Sequence, residues 1–144
     1  INRNNDLLVE GERMEINDLK TAAMAFIDNG GGDGTIVDGV PSGPCTYCLG
    51  EKSISSSDHP NKAIISVQSD RGTEYGTYLK VQNELISAYS ELRNRISKER
   101  YGIPFTKIEE SYKDNRNNLE LKKKVEDIKK SCPEIISDAE PTSN

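Results

Sequence analysis

The sequence predicts a small α/β protein. The expected form is a two-layer sandwich, in which an open sheet of about four to five short strands carries two main helices on one face. Three observations lead there. Apolar residues recur at helical spacing in "MEINDLKTAAMAFID" and again over residues 74–100. The run "KAIISVQS" (62–69) is apolar enough for a central strand. Short extended segments stand at both ends, "INRNNDLLVE" and "EIIS" (134–137), which sets helices between strands as one open sheet requires.

Taken in order, residues 1–10 read as two short extended segments around a turn at Asn5-Asp6, with Gly11 ending the second. Ile16, Leu19, Ala23, Phe26 and Ile27 then mark one helix face, Asn17 and Asp18 suit its first turn, and Asn29-Gly30-Gly31-Gly32 stops it. Residues 29–62 hold most of the chain's glycines, half of its prolines and the run Ser55-Ser56-Ser57, so they read as a long inserted loop. After the strand at 62–69, Asp70-Arg71-Gly72 is a turn. Thr73 is placed as the N-cap of a helix to about Arg100, its hydroxyl accepting from the backbone N–H of Gly76. Tyr78, Val81 or Gln82, Leu85, Tyr89, Leu92 and Ile96 form the buried stripe of that helix. Lys80–Glu84 and Glu91–Arg95 are i, i+4 pairs on the opposite face. Gly102 and Pro104 end it. Residues 101–131 add a helical segment with a narrow seam of Leu121, Val125, Ile128 and Cys132, ended by Pro133. The closing strand follows and is short enough to pair across a dimer; 141–144 read as a disordered tail.

Composition narrows the function. At 144 residues, 33% hydrophobic and 30% charged, the chain fits one domain, 1–140, with a modest core. No apolar run is long enough to span a membrane. The chain opens on Ile1 rather than Met and is read as a fragment or processed product. Net charge is −5 and the acidic excess lies in residues 1–62, so no cationic face for a nucleic acid is expected. The run Lys122-Lys123-Lys124 is flanked by Glu120, Glu126 and Asp127 and reads as a solvated helix face.

Few residues carry candidate chemistry. Cys45 and Cys48 form a C-x-x-C, which reads as a redox pair, a loop-stapling disulfide or two idle thiols. A Cys₃His zinc set of Cys45, Cys48, His59 and Cys132 is the weaker reading, because no second close pair accompanies the first. His59, the only histidine, lies in a polar loop with no partner indicated. Asp70, Glu74 and Tyr75 meet at the strand-to-helix turn, where open α/β sheets tend to bind ligands. No nucleophile motif, phosphate loop or HExxH accompanies them, so recognition or a capped turn is favoured over catalysis, and no cofactor is expected.

Three stretches, "INRNNDLLVEGERMEINDL", "AIISVQSDRGTEYGTYLKVQNEL" and "CPEIISDAEP", resemble the periplasmic domain of the ExbD/TolR family, closest to ExbD-like proteins of the Bacteroidetes type. The resemblance covers about 1–28, 63–100 and 133–140. It departs at the insert 29–62 and at the helical segment 101–131, where family members are tighter. It implies a domain anchored by one transmembrane helix in the inner membrane of a Gram-negative bacterium. It further implies assembly with an ExbB-like pentamer into a proton-driven motor that energises a TonB-like protein for outer-membrane transport. The domain itself would form a homodimer and bind partners in the periplasm without catalysis. The family's proton-carrying aspartate lies in the transmembrane helix and has no counterpart here, so Asp70 does not take that role. Asp70, Arg71, Thr73, Tyr75 and Tyr78 match the stretch associated with partner contacts. A TolR-like domain binding peptidoglycan is the alternative within the family, and a C-x-x-C redox or zinc protein is the rival outside it.

Overall fold

A computed structural model describes residues 1–30, 36–37, 40–41, 45, 47–50, 60 and 63–139. The readings placed on Ser55-Ser56-Ser57, His59 and 141–144 lie outside the described residues.

The elements are β1 (Leu7–Val9), β2 (Glu12–Met14), α1 (Ile16–Ile27), β3 (Ile36–Val37), β4 (Val40–Pro41), β5 (Ile65–Gln68), α2 (Tyr75–Tyr101), α3 (Phe105–Asp114), α4 (Leu119–Ser131) and β6 (Ile136–Ala139). The fold is mixed α/β, with α1 and α2 packed together as one layer and short open sheet strands as the other. Among the described residues the strands hydrogen-bond two by two: β1 with β2, β3 with β4, β5 with β6.

The first hairpin differs from the expectation. Its strands are Leu7–Val9 and Glu12–Met14, and its turn is Glu10-Gly11, not Asn5-Asp6. Both turn residues have positive φ, 52° and 85°, the type I′ geometry that matches strand twist in a two-residue hairpin. Asn5 also has positive φ, 65°, in a separate turn where its N–H donates to the Asn2 carbonyl. The Asn5 turn leads into the hairpin and does not close it.

The closing strand is also corrected. β6 pairs in parallel with β5 of its own chain, Ile65 opposite Ile136 through Gln68 opposite Ala139. Exchange of this strand across a dimer is therefore not its arrangement here. Ile65 is half-buried and Val67 buried against the helices, so intrachain pairing keeps the apolar side of β5 inward.

α2 is 27 residues long, about 40 Å, and organises the core. Its N-terminal half packs Val81, Leu85 and Ala88 with Leu7, Leu19, Ala23 and Val67. Its C-terminal half packs Tyr89, Leu92 and Ile96 with Ile27, Phe105, Ile108, Val125, Ile128 and Cys132. The expected stripe is thus the buried one, joined by Ala88 and by Ser97, whose hydroxyl donates to the Ile103 carbonyl at 2.7 Å. Gly102 at φ 76° caps the end. The expected Glu91–Arg95 pair gives way to contacts across to α1 and its C-terminus: Lys20 pairs with Glu91, and Arg95 with Asp28. Partners on a neighbouring element offer better geometry than two flexible chains on one exposed face.

Residues 105–131 are two helices rather than one. The break falls at 115–118, where Asn118 caps α4 by accepting from the N–H groups of Glu120 and Leu121 at 3.0 and 3.2 Å. Both helices add apolar residues to the second half of the core. No helix among the described residues is long and apolar enough to cross a membrane.

Candidate functional site

The strand-to-helix turn is built against the start of the chain. The Asp70 N–H donates to the Ile1 carbonyl at 2.9 Å, and the Thr73 N–H to the Asp70 carbonyl at 3.0 Å. Thr73 does not cap α2. Its hydroxyl donates to the Asn2 carbonyl at 3.0 Å, and Glu74 takes the N-cap position with no side-chain cap bond. A hydroxyl facing an available carbonyl serves as donor, and that use removes it from the helix end. The Glu74 N–H is met instead by the Asn5 side-chain oxygen at 2.9 Å. A Cβ on Gly72 would approach that of Arg3 to 2.9 Å, so the turn and residues 1–5 are in close contact.

Of the predicted contact residues, Asp70 and Thr73 are half-buried in this turn and Arg71 is exposed. Tyr75 projects with 72% of its surface exposed and stacks on Tyr78, ring centroids 6.2 Å apart and planes 19° apart. Leu79, one turn beyond Tyr75, is also exposed. Tyr78 is half-buried: the Gln82 amide donates to its hydroxyl at 3.2 Å and to Asp138 of β6 at 3.0 Å. Partial desolvation and the Asp138 carboxylate raise the Tyr78 pKa, so this phenol is a neutral donor at any physiological pH. The five residues therefore come together as an aromatic lip over a pinned turn.

Beside that turn lies a groove of about 780 Å³. Its floor is Leu19, Ala22 and Ala23 of α1 with Val81 and Leu85 of α2; one wall is β1 and the other is β5. Ile1 stands at one end. Sequence reasoning missed the groove, because it forms only where the hairpin and β5, some sixty residues apart, face each other. β5 itself, Ile65-Ser66-Val67-Gln68, alternates apolar and polar residues, so no local pattern marked the groove beside it.

Cys45 and Cys48 are joined in a disulfide with Cα atoms 5.4 Å apart, and both are buried. The disulfide sits on the end of α1. The Cys45 N–H donates to the Gly30 carbonyl, the Gly50 N–H to the Asp28 carbonyl, and Gly30, at φ 67°, has no space for a Cβ, which would lie 2.7 Å from that of Cys48. Arg95 of α2 holds Asp28 through two bonds of 2.7 and 2.8 Å and donates to the Tyr47 carbonyl at 3.2 Å. The Tyr47 hydroxyl donates to the Ser131 carbonyl at 2.7 Å, and Arg100 stands over its ring at 4.9 Å. Burial pushes the Tyr47 pKa up to about 12 and the Cys132 thiol up to about 11. Both sulfurs are buried and bonded to each other, so in this state neither is a thiolate that could ligate zinc, while the disulfide is equally the oxidised form of a redox pair. Among the described residues no cluster of three His, Cys, Asp or Glu could hold a metal ion. The segment that carries the disulfide joins α1, α2 and α4 through Asp28, Arg95, Tyr47 and Ser131.

Comparison with protein-family models, with characterised proteins and with solved structures found no match to this chain.

Proposed function

We propose that this chain is a non-catalytic, partner-binding domain of the ExbD kind, acting on the periplasmic side of a bacterial inner membrane. In this reading proton flow occurs elsewhere in an ExbB-like assembly. The domain passes the resulting conformational change to a TonB-like protein that serves outer-membrane transport, and works as a homodimer. The observation that carries the reading is the aromatic lip of Tyr75, Tyr78 and Leu79 set on a rigid turn beside an apolar groove walled by two strands. Exposed aromatics on a preorganised frame suit binding, since they bury large area at small entropic cost. The backbone bonds of the turn to residues 1–5 do not involve the Tyr75 side chain.

The test is the cell that makes the protein. Asp70→Ala and Tyr75→Ala should each leave the fold of the purified chain largely intact and lower transport through TonB-dependent receptors. If both variants transport normally, the transduction reading fails. Retention of the chain on purified peptidoglycan, with transport unaffected, assigns it instead to the TolR-like role in envelope maintenance.

A further inference from the structure

We propose that the Cys45–Cys48 disulfide is a redox-operated clamp. Oxidised, it seats Tyr47 on the end of α4 and covers Cys132. Reduction by a dithiol withdraws Tyr47 and opens the junction of α1, α2 and α4 to solvent without unfolding the chain. The proposal is independent of the partner-binding reading above, since it uses neither Asp70 nor Tyr75.

Three observations lead to the clamp. First, the covalent bond spans only three positions in the sequence. Closing so short a loop takes little freedom from the unfolded chain, so the main effect of the bond is on local shape. The ties to other elements are noncovalent and start from the residues that the bond shapes. The Tyr47 carbonyl accepts from Arg95 of α2 at 3.2 Å, and the Tyr47 hydroxyl donates to the Ser131 carbonyl of α4 at 2.7 Å. The Leu49 N–H donates to the Asp28 carboxylate at 3.3 Å and the Gly50 N–H to the Asp28 carbonyl at 3.0 Å.

Second, the surroundings fit the closed ring and leave it no space to open inward. A Cβ on Gly30 would lie 2.7 and 2.8 Å from the Cβ atoms of Cys48 and Cys45, and one on Gly50 would lie 2.4 Å from the Asp28 carbonyl oxygen. Two thiols stand farther apart than two bonded sulfurs. Reduction therefore drives the segment outward, on the side where Leu49 is already 69% exposed.

Third, the closed junction holds an unmet donor. Arg95 Nε is buried with no hydrogen-bond partner among the described residues, while the other two nitrogens of the guanidinium hold Asp28. Water admitted by the withdrawal of Tyr47 supplies the missing acceptor and lowers the cost of the open form. The opening is local, because the Arg95–Asp28 bonds and the apolar contacts of α2 with α3 and α4 do not pass through Tyr47. Tyr47 packs against the core cluster that contains Cys132 and is bonded to the residue before it, so its withdrawal uncovers the third thiol. Arg100, which stands over the Tyr47 ring, keeps its own bonds to Asp127 and Ser131 and holds the end of α4 in place.

The chemistry is thiol–disulfide exchange. One thiolate of the dithiol attacks a sulfur of the pair, forms a mixed disulfide and releases the other cysteine as a thiolate, which takes up a proton. The second thiol of the reductant then displaces the remaining cysteine sulfur. The reductant ends as a disulfide, having given two electrons and two protons, and Cys45 and Cys48 receive them as two thiols.

The test uses the 144-residue chain at pH 8, with dithiothreitol as the dithiol and iodoacetamide labelling read by mass spectrometry. In Cys45→Ser/Cys48→Ser, Cys132 is the only thiol left. It should label at least tenfold faster there than in the oxidised chain, with helical circular dichroism retained. Tyr47→Phe, which removes the bond to Ser131, should let dithiothreitol reduce the disulfide about tenfold faster, the factor that one hydrogen bond is worth. Amide exchange of the reduced natural chain keeps the test open where the serine variant does not fold. The Cys45 and Gly50 amides should lose at least tenfold in protection, while those of Leu85 and Ala88 in α2 keep theirs. Equal labelling of Cys132 in a folded serine variant overturns the proposal and leaves the disulfide an inert brace. Loss of protection throughout the reduced chain overturns it too, since the bond is then a requirement for folding. Reduction at the rate of global unfolding, in the natural chain and Tyr47→Phe alike, does the same.

Discussion

Cys132 and Tyr47 lie under the end of α4 and hold their protons more tightly in the folded chain than in the unfolded one. Burial raises the thiol from 9.0 to about 11 and the phenol from 10.0 to about 12. A group that binds its proton better when folded adds stability below its unfolded pKa and loses it as pH rises toward the folded value. The stability contributed by these two groups should therefore be level below about pH 9 and fall between about pH 9 and 12, first through Cys132 and then through Tyr47, with the raised Tyr78, Tyr89 and Tyr101 adding to the upper part of the fall. Urea midpoints across that range check it: Cys132→Ala should flatten the part between pH 9 and 11. In the native protein at pH 8 the thiol should react with a disulfide reagent orders of magnitude more slowly than after unfolding. Rapid native labelling, or the same alkaline slope in Cys132→Ala, overturns the assignment. Cys132 was read in the sequence as the last member of an apolar seam and, more weakly, as a zinc ligand. Its neighbours Arg93, whose Nε donates to the Cys132 carbonyl at 2.9 Å, and Tyr47 come from distant segments that no local pattern links.

At the scale of elements, helices were legible and their junctions were not. Periodicity located α1, the buried stripe of α2 and the seam of α4, because each presents its apolar residues to one core. The hairpin turn was misplaced: Asn5-Asp6 and Glu10-Gly11 are both turn sequences, and only pairing decides which one closes the strands. Thr73 was misread as a cap for the same reason, since its donor bond goes to residue 2. The junction that matters most for rigidity is Arg95 with Asp28, which ties α2 to the end of α1 and to Tyr47 in the stapled segment. The Asp28 side chain is 12% exposed. Arg95→Ala would strand that carboxylate and should lower stability by about 2–4 kcal/mol. Arg95→Lys, which keeps charge without the two-pronged geometry, should recover only part of the loss. Denaturant melts of both variants measure it, and a loss for alanine below about 0.5 kcal/mol would show that the latch carries no weight.

At the scale of the whole molecule, the α/β class and two-layer form were readable from composition and order of elements, whereas the groove depends on how far β1 stands from β5. The parallel pairing that closes the sheet joins Ile65 to Ile136, about 70 residues away, with α2, α3 and α4 lying between them in the chain. This has a consequence for the order in which the protein assembles. Helical contacts such as those of α3 with α4 close short loops, while β5 cannot meet β6 until a loop of about 70 residues is drawn in, at an entropic cost that grows with its length. Helices should therefore collect first, and β6 should dock after the rate-limiting barrier. Truncating Ile136, which packs against both halves of the core, tests this in stopped-flow kinetics. Ile136→Ala should accelerate unfolding by nearly the whole of its stability loss and leave the folding rate almost unchanged, whereas a folding rate that falls in proportion would place β6 in the nucleus. During that interval β5 is a strand with both edges bare, the most exposed moment in the life of the chain and the one at which a neighbouring molecule competes with β6 for it.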